Sequence, residues 1–327
     1  MGVVIASGRI NTRYLRRHLT RERALVSSMV GATGTLRLDP GGVATLQWTS
    51  AWRGVLMMHA HSLQAPHPFH VHDYYSIGLV DRGVTEIQCR GDVFHAGPGS
   101  VILISPWEAH QEQNPSPGGF SLRALYPALG TMRRVLGIDG TVPLERLEFE
   151  RPVVDDAALA DQLDSLFAHL QRSPGAVVES PVTDNVRMSL LRHLRPKHKL
   201  RRVLRSTRAV DAIQARILRN TRQMTSMVEL SGVTGMSRFH LSRAFRDRTG
   251  LPPYAYFEQV RLARANILMR QGLALSEVAM ALGFSDQSHF HRQFRSQAAT
   301  TPGRYARALR AVFCANRGGE FSPSLRY

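Results

Sequence analysis

Three histidines and one dense twelve-residue stretch hold the side chains of this 327-residue chain best placed to do chemistry. His70 and His72 stand two apart, and in an extended strand residues two apart share a face. Both imidazoles would then project to one side, and with His110 they form a candidate three-nitrogen metal set. The stretch "GFSDQSHFHRQF", residues 283 to 294, brings together two histidines, two glutamines, an arginine and three phenylalanines. If it is helical, Phe290 and Phe294 lie four apart and belong to a core. Gln287, Ser288, His289, His291 and Arg292 are then left on the first turns, facing outward. His289 and His291, two apart on a helix, cannot converge on one metal. The stretch therefore describes a surface that reads something rather than a centre that reacts.

The elements that must carry these residues change character along the chain. Between about 43 and 126 short apolar runs ("ATLQW", "YYSIGLV", "TEIQC", "SVILIS") are cut by turn signals such as "DRG", "CRGD" and "AGPG". That spacing predicts an antiparallel β-sandwich or barrel. From about 155 the period becomes helical: Leu159, Leu163, Leu166, Phe167 and Leu170 mark one face, and Val182, Val186, Leu190 and Leu194 a second. Two such helices would pack on the barrel or on a partner chain. "RPKHKLRR", 195 to 202, combines a proline with a charge run and reads as a linker. The predicted class is α+β multidomain. Its parts are an N-terminal arm (1–40), a barrel (41–130), a helical dimerisation segment (131–195), a linker (196–206), a helical domain (207–310) and a tail (311–327).

The helical domain contains an internal repeat. "ELSGVTG" (229 to 235) aligns with "EVAMALG" (277 to 283), and "RAFRDRTGLPPYAY" (243 to 256) aligns with "RQFRSQAATTPGRY" (292 to 305). Phe245 thus matches Phe294, Pro253 matches Pro302 and Tyr256 matches Tyr305. Each copy reads as a short helix, a glycine turn (Gly235, Gly283) and a second helix opened by a good N-cap, Ser237 or Asp286. Helix, tight turn, helix is the plan by which a second helix enters the DNA major groove. The bridging stretch "YAYFEQVRLARANILMRQG" (254 to 272) would hold the two copies apart.

Charge points the same way. The chain carries 42 Lys+Arg against 25 Asp+Glu, a net +17. Most of the excess falls after residue 205, on arginine, which suits a polyphosphate partner whose counterions are released on binding. Hydrophobic content of 43% supports buried cores. No apolar run is long enough for a membrane span, and "GVVIAS" is too short for a secretory signal. Cys89 and Cys314 form no pair motif. The expected location is cytoplasmic.

Residues 207 to 310 resemble the DNA-binding domain of the AraC/XylS family of bacterial transcription regulators. The match is carried by "LSEVAMALGFSDQSHFHRQFRSQAATTPGRYAR" (275 to 307) and "MSRFHLSRAFRDRTGLPPYAYFEQVRLARANILM" (236 to 269). "QAATTPGRY" departs from the family's usual, more charged stretch before the proline. The resemblance implies base-edge contacts at Phe239, Ser242 and Arg243 in the first unit and at Gln287, Ser288, His291 and Arg292 in the second. Arg238, His240 and Arg246 are expected on phosphates. Double-stranded promoter DNA, RNA polymerase, a small-molecule effector of unknown identity and a second copy of the chain are the implied partners.

"HPFHVHDYYSIGLVDRG" (67 to 83) with "GPGSVILISPWEAHQ" (97 to 111) resembles the cupin-like ligand-binding barrel of the same family. A pocket wall of His70, His72, Tyr74, Tyr75, Trp107 and His110 is implied. The carboxylate that catalytic cupins carry shortly after the second histidine is missing, since the text there reads Asp73, Tyr74, Tyr75, Ser76. A polar pocket is therefore expected, with no metal, no cofactor and no catalysis. The expected function is a DNA-binding regulator, acting as an activator. The alternative from another class is a cupin metalloenzyme, a dioxygenase or isomerase with an appended nucleic-acid-binding domain.

Overall fold

Burial along the strands shows which surfaces are covered. In β6 (Thr85–Cys89) buried and half-buried residues alternate, while β5 (Ser76–Arg82) and β8 (Val101–Ile104) are buried on both faces. Both-face burial requires a layer on each side of the sheet. The computed structural model supplies both layers. It describes residues 33–38, 42–49, 55–63, 67–115, 118–138, 147–172, 181–196, 205–298, 301–303 and 306. The expected N-terminal arm lies almost wholly outside these residues and the C-terminal tail entirely so.

One antiparallel sheet joins β1 (Thr33–Leu38), β2 (Gly42–Thr49), β3 (Val55–Leu63), β10 (Phe120–Tyr126), β5, β8 and β12 (Val153–Val154), in that order. The second sheet runs β4 (His67–His70), β9 (His110–Gln113), β6 and β7 (Asp92–Ala96). Between the two sheets Val80, Ile102 and Ile104 pack against Ile87, Cys89 and Ala96. Burial pushes the Cys89 thiol well above its usual range and keeps it protonated.

On the outer face of the larger sheet lie α1 (Leu129–Leu136), α2 (Ala157–Arg172) and α3 (Pro181–His193). Tyr75, Ile77, Leu79, Leu103 and Leu125 share one apolar cluster with Leu159, Leu163, Leu166, Phe167, Leu170, Val186 and Leu190. The α2 face read from the sequence is thus covered by the chain's own sheet, and its five large residues have no exposed surface. Polar ties fasten the pair. The Ser189 hydroxyl donates to Gln162 at 2.7 Å, and His193 meets Asp156 at 2.8 Å. The short strand β13 (Leu194–Pro196) pairs with β11 (Leu147–Phe149), so Arg195 and Pro196 close a two-stranded ladder where a linker was expected.

Among the described residues six helices follow: α4 (Arg205–Arg219), α5 (Met227–Thr234), α6 (Arg238–Thr249), α7 (Pro253–Arg270), α8 (Leu275–Ala281) and α9 (Gln287–Ala298). They form the C-terminal domain, which rests on the sheet domain. Val71, Trp107 and Ala109 share an apolar cluster with Val210, Ile213, Leu241, Phe245 and Tyr256. No helix among the described residues is long and apolar enough to cross a membrane.

Candidate nucleic-acid interface and ligand pocket

Each repeat unit is built from the cap outward. Before α5 the Ser226 hydroxyl accepts the Glu229 N–H at 3.2 Å, and the Glu229 carboxylate accepts the Ser226 N–H at 3.0 Å. That reciprocal pair satisfies two of the donors a helix start leaves open. Before α8 the cap residue is Ala274, which has no oxygen, and only the Glu277 carboxylate takes the Ala274 N–H, at 2.7 Å. The turns then need the left-handed backbone, at Gly235 (φ 65°) and Gly283 (φ 72°). A side chain at Gly283 would meet the Arg222 carbonyl oxygen at 2.0 Å, so the turn excludes any other residue.

The second helices open as the sequence predicts. The Ser237 hydroxyl accepts the His240 N–H at 3.3 Å, and the Asp286 carboxylate accepts the His289 N–H at 2.7 Å. That bond, with one from the Ser285 hydroxyl, holds the Asp286 carboxyl below its usual range. Leu241 and Phe245 in α6, and Phe290 and Phe294 in α9, are buried to within 1%.

With those faces inward, the opposite faces are fixed outward. Phe239 is 72% exposed, and Arg238, His240, Arg243 and Arg246 are exposed with it, while Ser242 is half-buried. In α9, Gln287, Ser288 and Arg292 are exposed and His291 is half-buried, its ring nitrogen 3.5 Å from the Gln287 amide. Arg243 has an acid at 3.9 Å, Asp247, and both side chains are about 70% exposed, a contact worth little in water. The polar side chains can donate to phosphates or base edges, arginine to guanine O6 and N7 and glutamine to adenine, and phenylalanine can make apolar contact with a thymine methyl.

Between the units runs α7, 18 residues and about 27 Å long at 1.5 Å per residue. It is buried nearly all round, with Tyr256, Phe257, Val260, Ala263, Ala265 and Met269 at 3% exposure or less. A helix with buried residues on nearly every side is a core element. Even Arg261 lies inside, its guanidinium 3.7 Å from the centre of the Phe284 ring and 5.2 Å from that of Phe257. Loss of water lowers its pKa, and the two ring faces replace part of that hydration. Arg261 thereby clamps the turn of the second unit to the bridging helix.

In the sheet domain His70, His72 and His110 come together, each 5% exposed or less, with ring centres 4.2 to 6.0 Å apart. His70 and His110 are direct partners across β4 and β9. Tyr74 stacks on His72 at 4.2 Å and meets Tyr126 edge-on at 5.4 Å. Two expected wall residues lie elsewhere. Tyr75, next to Tyr74, faces the helical layer and sits edge-on to Phe149 at 5.5 Å. Trp107, in a left-handed turn at φ 64°, packs with the C-terminal domain. Glu112 was missed; it is buried two residues beyond His110 on the same face of β9. Strand alternation after His110 was the signal that could have found it.

A short polar path leads from the histidine trio to the bridging helix α7. The Trp107 N–H donates to the His72 carbonyl at 2.8 Å. The Trp107 carbonyl in turn accepts the Tyr256 hydroxyl at 2.6 Å, and Gln214 donates to that hydroxyl at 2.9 Å. Burial pushes the Tyr256 hydroxyl far up, so it remains a donor. The Arg264 guanidinium lies 4.7 Å over the Trp107 ring. Beside this path the β6–β7 turn abuts α6, and a side chain at Gly91 would strike the Asp247 carbonyl oxygen at 2.4 Å.

Comparison with known proteins follows the same division. Residues 54–191 match the AraC-like ligand-binding domain and residues 230–308 match a helix-turn-helix domain. The chain is similar to the uncharacterized HTH-type transcriptional regulator YbfI of Bacillus subtilis, 27% identical over 68% of this chain and 80% of that protein. It is also similar to the HTH-type transcriptional activator RhaS of Klebsiella pneumoniae, 25% identical over 72% of this chain and 85% of that protein. Among solved structures, ToxT from Vibrio cholerae covers 81% of this chain and 98% of its own, at 13% identity and a TM-score of 0.47.

Proposed function

Since the chain belongs to the AraC family of transcription regulators, with a ligand-binding domain before a DNA-binding helix-turn-helix domain, we propose that it is a promoter-binding activator that reads DNA with α6 and α9. Phe239, Ser242 and Arg243 read base edges from the first unit, and Gln287, Ser288, His291 and Arg292 read them from the second. Arg238, His240 and Arg246 hold phosphates. The single observation that carries this reading is the pair of outward faces on α6 and α9, each fixed by its own cap and its own buried phenylalanine.

The protein works by binding rather than turnover, in the cytoplasm, and hands its signal to RNA polymerase. An effector enters the histidine-lined side of the sheet domain, and the path through Trp107 to Tyr256 carries its effect to α7. A second copy joins through the outer surface of the helical layer, where Met188 is 53% exposed, because the inner faces of α2 and α3 are already covered. The test is selection of duplexes from a randomised pool by the full chain. Two enriched blocks about 10 base pairs apart, one helical turn, are expected. A bound pool with no enriched sequence would overturn the reading.

A further inference from the structure

We propose that His70, His72 and His110 bind one divalent transition-metal ion inside the sheet domain. The inference rests on the ligand-binding reading of that domain only for its setting; the argument for the ion is geometric. Each histidine offers one ring nitrogen, and these nitrogens lie within 4.8 Å of one another. A tetrahedral ion with bonds of about 2.1 Å sets its ligands roughly 3.4 Å apart, so side-chain rotations of about an ångström close the set.

The protonation pattern is prepared for such an ion. His72 Nδ1 lies 2.8 Å from the Tyr74 carbonyl oxygen, and His110 Nδ1 lies 2.9 Å from that of Glu108. A carbonyl only accepts, so in both rings Nδ1 carries the proton and Nε2 presents its lone pair. A backbone carbonyl on the far nitrogen is how metal-bound histidines are commonly oriented. The strands make the arrangement rigid, because His70 and His110 face each other across the β4–β9 ladder.

The donor set selects the ion. Three neutral imidazoles favour zinc, cobalt, nickel or copper over magnesium or calcium, which prefer oxygen. The set adds no negative charge of its own, so the bound ion keeps its double charge and an open position. Water or an oxygen donor of an effector fits there, with the buried Glu112 carboxylate on the same face of β9. The His72 carbonyl is already bonded to Trp107, so ordering at the ion reaches the contact with the C-terminal domain.

The test uses the full chain, stripped of metal by a chelator and titrated with Co2+ alone. The expected result is one Co2+ per chain with visible absorption bands of low coordination number, displaced by Zn2+. His110→Ala and His72→Gln should weaken Co2+ binding by more than about 100-fold, beyond what loss of an outer-shell partner costs, with an unchanged melting profile. His61→Ala is the control: its ring meets His59 at 4.0 Å on β3, and binding should persist. Absence of Co2+ binding in the wild type, or its survival in His70→Ala/His110→Ala, overturns the proposal. Wild type that binds selected DNA but no Co2+ leaves the regulator standing and removes only the ion. Wild type without sequence preference, stripped or loaded, removes the regulator instead.

Discussion

In the first helix-turn-helix unit a serine hydroxyl holds the His240 N–H at 3.3 Å, and in the second a carboxylate holds the His289 N–H at 2.7 Å. The two units share an inner plan, with Leu241 and Phe245 standing where Phe290 and Phe294 stand, all buried. They differ where they meet other things. The outward face of α6 leads with an apolar ring, Phe239, and that of α9 with Gln287, Ser288 and His291. Toward the sheet domain the first unit is fixed by a directional bond, Tyr256 to Trp107. Both units also share an apolar cluster with that domain, the first with Val71, Trp107 and Ala109 and the second with Met58, Phe120, Leu122 and Tyr126. A hydrogen bond fixes an angle, whereas apolar contact is non-directional. The lesson is that a duplicated scaffold preserves its core and diverges at the surface: the hydrogen bond from Tyr256 to Trp107 adds a directional contact beside the first unit.

The strongest way to break this comparison is to remove the shared core. Phe245→Ala and Phe294→Ala should each cost about 3 to 5 kcal/mol, because both rings are buried to within 1% and each leaves a cavity. Chemical denaturation of the full chain measures the loss. A cost below about 1 kcal/mol at either site would mean that the units are not equivalent.

The next test sharpens the difference. Tyr256→Phe leaves the buried Trp107 carbonyl without its donor, which should cost about 1 to 3 kcal/mol. Hydrogen exchange should quicken at the Trp107 amide and along α7, with α9 unaffected. Exchange unchanged at Trp107 would show that the bond does not couple the domains.

The caps give the smallest effect and separate the units by pH. Ser237→Ala should cost about 1 kcal/mol, independent of pH. The Asp286 carboxyl is held low chiefly by the His289 N–H and then by the Ser285 hydroxyl. A lowered folded pKa contributes stability that is present above the unfolded value of about 3.9 and lost as pH falls through the folded one. Asparagine also caps but does not titrate, so the stability advantage of wild type over Asp286→Asn should shrink as pH falls from about 5 to about 3. A difference constant with pH would contradict the charge-assisted cap.

Much of the interface was legible in the sequence because its signals are local. A cap, a glycine turn and large apolar residues four apart recur within a dozen residues, and the second copy repeats the first. Ser237, Asp286, Phe290 and Phe294 stand where that spacing puts them. The histidine trio was equally readable, since two of its members stand two apart, although β4 ends at His70 and His72 lies in the segment that follows it. What was hidden depends on contacts distant in sequence. "YYS" does not say which tyrosine faces inward, and a one-residue shift exchanges the faces. Tyr74 lies with the histidines and Tyr75 lies under α2. Trp107 reads as a pocket wall, but its turn directs it to a helix 149 residues away. The apolar face of α2 was legible as a face, but periodicity does not name what covers it; the chain's own sheet does so, in place of a second copy.

The central claim, that both units read sequence, is tested most directly at Arg243 and Arg292, the matching exposed arginines of α6 and α9. Affinities of Arg243→Ala, Arg292→Ala and the phosphate control Arg246→Ala are to be measured on a selected duplex and a scrambled one at a single salt concentration. Each reading variant should lose about 1 to 3 kcal/mol on the selected duplex and much less on the scrambled one, while Arg246→Ala weakens both alike. Equal losses on both duplexes for Arg243→Ala and Arg292→Ala would contradict the account and leave the two arginines as anchoring charges.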